Sequence, residues 1–192
     1  MSLDTVISYM QNYGHWIILL VLFCGITGIP APEESFLFLV GVLVAKGHLE
    51  FGTSFLYAFI GTLAGMFASY WLGRKLGLPF IERYGKFIKI TPERWKAVEK
   101  RFHEHAVTTL LFGFYLPGLR QLAPYIAGIS TYSFLRYALL SVLGSGAWTA
   151  AFISIGYFFG GQVKLSYLPW IAAAALLLFV LTVFRKKFTN KA

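Results

Sequence analysis

Arg120 stands in the run FGFYLPGLRQLAP, residues 112–124, which is otherwise apolar and carries Pro117-Gly118 before the arginine and Pro124 after it. Proline lacks an N–H and its ring obstructs the preceding turn, so this run predicts a broken helix with a guanidinium at the break. A second run, GIPAPEES at residues 28–35, has the same build. An apolar stretch stops at Pro30 and Pro32, and Glu33 and Glu34 follow. A guanidinium offers a planar fork of donors that meets phosphate oxygens two at a time. Helix N-termini just after a break add N–H groups and positive dipole. Glu34 is long enough to pair with Arg120 in an empty site and to release it when phosphate arrives, or to receive an amine or a proton. Tyr115 and Tyr125 flank the second break, placed either to hydrogen-bond a polar headgroup or to serve as interfacial aromatics. The candidate binding residues are therefore Glu34, Arg120, Tyr115, Tyr125 and Glu33. Of these, Glu33 also reads as a solvated or capping residue, and Glu34–Arg120 as a structural bridge. The hairpin breaks are Pro30, Pro32, Pro117, Gly118 and Pro124.

Other chemistries find little support. His103 and His105 adjoin Glu104, but residues two apart on a helix do not face one site, so no metal is expected there. His15 and His48 are isolated, and no nucleophile sits beside a base or a carboxylate cluster, so an enzyme is not expected. Cys24 is the single cysteine, which excludes an internal disulfide and a cysteine metal site. No cofactor is implied.

The elements that must position these residues are apolar. The chain has 192 residues, is 57% hydrophobic and has a mean hydropathy of +0.66. That is more apolar surface than a soluble domain of this size hides, and it points to one integral membrane domain. The first residues lack the basic region of a cleavable signal peptide. The net charge is +9, with nine of the 17 basic residues between 74 and 106 and four more in the tail at Arg185, Lys186, Lys187 and Lys191. Basic loops stay in the cytoplasm, so this charge reads as topology and contact with anionic lipid, not nucleic acid.

Taken in order, residues 1–13 suit an interfacial helix. Residues 15–29 and 35–45 are apolar but too short to cross ~30 Å of hydrocarbon at ~1.5 Å per residue, and together predict a re-entrant hairpin. Residues 46–52 form an external polar turn, and 53–73 a spanning helix with small residues that allow close approach. The segment 74–106 is cytoplasmic. In it Thr91 caps a helix, Pro92 opens it, and Trp95, Val98 and Phe102 share one face, as in an amphipathic helix on the membrane surface. Residues 107–116 and 117–130 predict a second re-entrant hairpin, 134–160 a spanning helix, 162–167 a loop and 168–184 a last span.

The halves repeat. SFLYA at 54–58 follows the first hairpin and SFLRYA at 133–138 the second. Gly61, Ala64, Ala68, Gly73 and Gly77 correspond to Gly144, Ala147, Ala151, Gly156 and Gly160 at a constant offset of 83. With 74–106 inside, the two hairpins enter from opposite sides. The expected fold is an all-α membrane protein: an inverted repeat of re-entrant hairpin plus transmembrane helix (14–73 and 107–160), an extra C-terminal transmembrane helix, and a cytoplasmic amphipathic helix. Inverted repeats with broken segments at matching places point to a transporter.

The line G-F-Y-L-P-G-L-R followed by P-Y-I-A-G-I-S resembles the signature of the DedA family, also called the VTT or SNARE-associated Golgi family. So do P-A-P-E-E, Y-W-L-G-R-K-L-G and G-S-G-A-W before G-Y-F-F-G. The resemblance covers residues 14–160. It implies two facing re-entrant hairpins in a multi-pass protein of the bacterial inner membrane that moves undecaprenyl phosphate or phosphatidylethanolamine between leaflets, with proton coupling. Glu34, Arg74 and Arg120 match the family's charged positions. Phe114, Met66, Gly25 and Ile26 stand where members usually carry an arginine, an acid and a Glu-Asn pair, and Ser141 where an asparagine is usual. The partners implied are membrane lipids and protons, with a homo-oligomer allowed. The rival reading is a proton-coupled small-ion or solute transporter, which needs no lateral opening for lipid tails.

Overall fold

A computed structural model of the chain describes residues 3–29, 32–84, 92–116 and 118–160. Pro30, Pro117, Thr91, the 162–167 loop and the 168–184 span lie outside the described residues. Every regular element described is helical: α1 (Leu3–Thr27), α2 (Glu33–Ala45), α3 (Phe51–Tyr84), α4 (Pro92–Glu104), α5 (Ala106–Phe112), a 3-10 turn (Gly113–Tyr115), α6 (Leu119–Ile129) and α7 (Phe134–Gly160). Two of these are long and apolar enough to cross a membrane, Phe51–Pro79 and Phe134–Gly160.

Three elements differ from expectation. The interfacial helix expected over residues 1–13 is the start of α1, not a separate element. The one intervening glycine, Gly14, costs a helix only ~1 kcal/mol, too little to end it between two helix-favouring flanks. The apolar part of α1, Tyr13–Thr27, remains short. Helix α3 runs past residue 73 through Arg74 and Lys75 and kinks at Gly77 (φ 58°, ψ −166°), a conformation open to glycine. Pro124 does not break α6, which continues to Ile129. A proline removes a single i→i−4 bond, here at the sixth of eleven residues, and the close packing of α6 on α3 through Gly128 and Tyr125 holds the helix across it.

The described residues gather into two compact units, one of residues 3–21, 32–58 and 149–160, the other of 22–29, 59–84, 92–116 and 118–148. In the first, α2 lies against the end of α7 with glycine on both sides. A methyl group at Gly41 would collide with the Ile153 carbonyl, the Gly156 Cα and the Tyr157 nitrogen, and one at Gly156 with the Phe38 carbonyl. In the second, α6 lies against α3. A methyl group at Gly128 would collide with the Tyr70 carbonyl and the Arg74 nitrogen, and one at Gly73 with the Tyr125 carbonyl and Cα. The two contacts use the same register. Ile153, Gly156 and Tyr157 follow Tyr70, Gly73 and Arg74 by 83 residues, and Tyr125 and Gly128 follow Phe38 and Gly41 by 87.

Aromatic packing locks the second unit. The rings of Tyr70 and Tyr137 stack at 4.7 Å. The Tyr137 hydroxyl donates to the Met66 carbonyl at 2.9 Å, and the Tyr70 hydroxyl to the Tyr132 carbonyl at 2.5 Å. Buried hydroxyls find acceptors in this way because an unmade hydrogen bond in an apolar interior is costly. Helix α4 begins at Pro92 as its sequence predicts, but Trp95 and Phe102 of its apolar face are turned into the protein, while Val98 is 37% exposed. Trp95 is buried with Ile81 and Ile129, and Phe102 is buried against Tyr132. Amphipathic periodicity says only that one face leaves water; the covering surface here is the α3 and α6 side chains.

Candidate functional site

The break before α6 is built from local backbone bonds. After the 3-10 turn, Leu116 is extended and Gly118 takes φ 87°, a left-handed conformation that costs glycine nothing. The chain thus reverses within two residues, and the Leu116 carbonyl accepts from the N–H groups of Leu119 (3.1 Å) and Arg120 (3.3 Å). Arg120 is therefore the second residue of a helix that starts beside a break, as the Pro-Gly-x-Arg pattern predicts.

Its side chain turns inward and is 5% exposed. Nη1 donates to the Phe114 carbonyl at 3.2 Å. Cζ lies over the ring of Trp148, 4.5 Å from its centroid. Phe114 and Trp148 are themselves 6.2 Å apart, and the Phe114 ring fills the space left by Gly144. The narrow recess around the arginine is lined by Met66, Thr109, Leu110, Gly113, Phe114 and Ala123, nearly all apolar. A guanidinium here has surrendered most of its hydration, so an anionic oxygen reaching it meets donors in a medium of low dielectric.

Two further α6 side chains bind the end of α1. Tyr125 donates through its hydroxyl to the Thr27 carbonyl at 2.6 Å, and Gln121 through Nε2 to the Gly25 carbonyl at 3.0 Å. The last carbonyls of a helix have no intrahelical donor, and these two side chains supply one each. Tyr125 thus has an anchoring contact, whereas Tyr115 is left 49% exposed at the end of the 3-10 turn.

The carboxylates lie in the first turn of α2, which follows Pro32 as its N-cap residue. Glu33 is 0% exposed and Glu34 half-buried. The sequence reading has Glu33 as the solvated member; the structure buries it. The reason is helical spacing: Leu37, Val40, Gly41 and Val44 form the buried stripe of α2, and continuing that stripe back four residues from Leu37 reaches Glu33. The sequence alone does not show that stripe, because α2 is apolar at nearly every position from Phe36 to Ala45 and Val42 and Leu43 are buried as well. Trp148 is more legible, since it extends the buried α7 stripe Tyr137, Ser141, Gly144 and Ser145. The hydrogen bond from Gln121 and the acceptor role of the Phe114 carbonyl leave no such trace.

An all-helical chain with two membrane-length apolar helices and a buried arginine at an interrupted helix is the class defined so far. The VTT domain family model matches residues 29–158. The chain belongs to the VTT-domain family, the DedA proteins that its P-G-x-R line resembles. It is 34% identical to the uncharacterized membrane protein YbfM of Bacillus subtilis, over 82% of this chain and 98% of that one. It is 29% identical to the inner membrane protein YqjA of Escherichia coli, over 92% and 87%. It is 26% identical to undecaprenyl phosphate transporter A of Bacillus subtilis, over 83% and 79%. No solved structure matches the chain.

Proposed function

We propose that this protein is a flippase that moves a lipid phosphate such as undecaprenyl phosphate, or a phospholipid such as phosphatidylethanolamine, between the leaflets of a bacterial inner membrane. The observation that carries the reading is the seat of Arg120: a buried guanidinium at the first turn of a helix that starts at a break, in a relative of proteins named undecaprenyl phosphate transporter A. A lipid phosphate crosses a bilayer only if its charge is met inside while its tails stay in oil. The Arg120 fork and the N–H groups opening α6 meet the charge, and the recess around them excludes water. In the other unit, Glu33 and Glu34 are the carboxylates available to take an amine or a proton.

The matched registers of the α2–α7 and α6–α3 contacts support an inverted repeat. In that reading the return helix of each re-entrant hairpin packs on the long helix of the other half, through the same pair of glycines. The midplane site of such repeats is where the broken helices end.

The test is lipid translocation in proteoliposomes. Arg120→Ala abolishes it, since losing a charge-assisted contact costs ~1.5–3 kcal/mol, or about ten- to a hundredfold in affinity. Arg120→Lys restores little, because a point charge does not reproduce the fork. Lys96→Ala, on the exposed face of α4, is nearly silent. Wild-type rates in Arg120→Ala for both lipids would falsify the assignment.

A further inference from the structure

We infer that Trp148 is a positioning residue for the anion site: its ring face holds the Arg120 guanidinium aimed in the apolar interior for the phosphate of a lipid. This rests on the proposed lipid-phosphate reading and adds to it a second residue and a reason for substrate release. Trp148 is 0% exposed, and its ring centroid is 4.5 Å from Arg120 Cζ. Tryptophan has the strongest quadrupole of the aromatic side chains, and the attraction grows when the pair is desolvated, as it is at 5% exposure of the arginine. A cation held by a ring is held through its charge, not through a particular N–H. The ring therefore steadies the guanidinium without consuming the in-plane fork that a phosphate needs. It also binds the cation more weakly than a full negative charge does, so an arriving phosphate gains the arginine and a departing one returns it.

The internal correspondence of the chain singles out the same residue. The position 83 residues before Trp148 is Gly65, where a side chain would collide with the Phe23 carbonyl and the Ile26 side chain. Close backbone approach is what the common scaffold uses there. The indole at 148 replaces it in one half alone, on the side that carries the arginine. Phe114 completes the seat, giving its carbonyl to Nη1 and its ring, tilted at 38°, to the side of Trp148.

The experiment compares wild type, Trp148→Phe, Trp148→Leu, Arg120→Gln and the double variant Arg120→Gln/Trp148→Leu in nanodiscs. Binding of undecaprenyl phosphate is measured against undecaprenol, which has the tail without the phosphate. The expected result is about a two- to thirtyfold loss of affinity for undecaprenyl phosphate in Trp148→Leu, from ~0.5–2 kcal/mol of cation–π attraction. Affinity for undecaprenol is unchanged, Trp148→Phe recovers most of the loss, and Trp148→Leu adds nothing in the Arg120→Gln background. An equal loss in that background, or no loss in Trp148→Leu, overturns the inference. Thermal unfolding of the same proteins reads the pair without lipid: non-additive shifts support it and additive shifts overturn it. Should Arg120→Gln bind undecaprenyl phosphate like wild type, the lipid-phosphate reading fails, and the unfolding cycle alone decides whether Trp148 holds the arginine.

Discussion

Glu33 and Arg120 occupy one and the same helical position. Each sits in the first turn of the helix that follows a break, and each stands eight residues before the glycine, Gly41 or Gly128, that packs against a long helix. Both are buried, at 0% and 5% exposure, and they carry opposite charge. A buried charge is costly in an apolar protein, so two at corresponding places make this the position to test.

That correspondence makes Glu33 the carboxylate to test before Glu34. Glu33→Gln is expected to lower lipid translocation in proteoliposomes by about tenfold or more, the loss of one charge-assisted contact. Glu34→Gln, half-buried, is expected to stay within about threefold. A reversed order would return the acidic role to Glu34.

The glycine contacts predict a matched pair of stability losses. Gly128→Ala forces a methyl group against the Tyr70 carbonyl, and Gly41→Ala one against the Ile153 carbonyl. Overpacking against backbone typically costs ~1–3 kcal/mol. Both variants should unfold at lower temperature in detergent, by similar amounts, while Gly52→Ala, where a methyl group meets nothing, should not. A large loss in one and none in the other would show the two registers to be unrelated.

Tyr125 has two roles on offer, headgroup contact and anchor for α1, and one substitution separates them. Tyr125→Phe keeps the ring and removes only the bond to the Thr27 carbonyl. The expected outcome is a lower unfolding temperature, from about 1 kcal/mol, with substrate affinity unchanged. Gln121→Leu should behave alike through Gly25. A drop in affinity at constant stability would make Tyr125 a ligand.

Topology follows from the basic residues between 74 and 106. In a Cys24→Ala background, a cysteine at 96 should be labelled from the cytoplasmic face and one at 48 from the outer face. Labelling of both from one side would remove the inverted arrangement.

Much of this was written in the sequence, where a local rule sufficed. Helix α7 begins where its apolar run does, at Phe134, and is helical through Gly160, the last described residue, because length and hydropathy alone determine a membrane-length helix. The break before Arg120 follows from Gly118, whose φ of 87° few other residues tolerate. Residue type also supplied the guanidinium of the candidate site. What tertiary structure decided was orientation and partnership. Pro124 reads as a breaker but sits in the middle of α6, where packing on α3 outweighs one missing backbone bond. The apolar face of α4 reads as membrane-facing but meets Ile81 and Ile129, since periodicity fixes a face and not its cover. Glu33 and Glu34 are neighbours in sequence and about 100° apart around the helix, so only the packing of α2 chooses which is buried. The seat of Arg120 joins Phe114, six residues away, to Trp148, 28 residues away. No local pattern relates residues that distant; the folding of α7 beside the α5–α6 hairpin does.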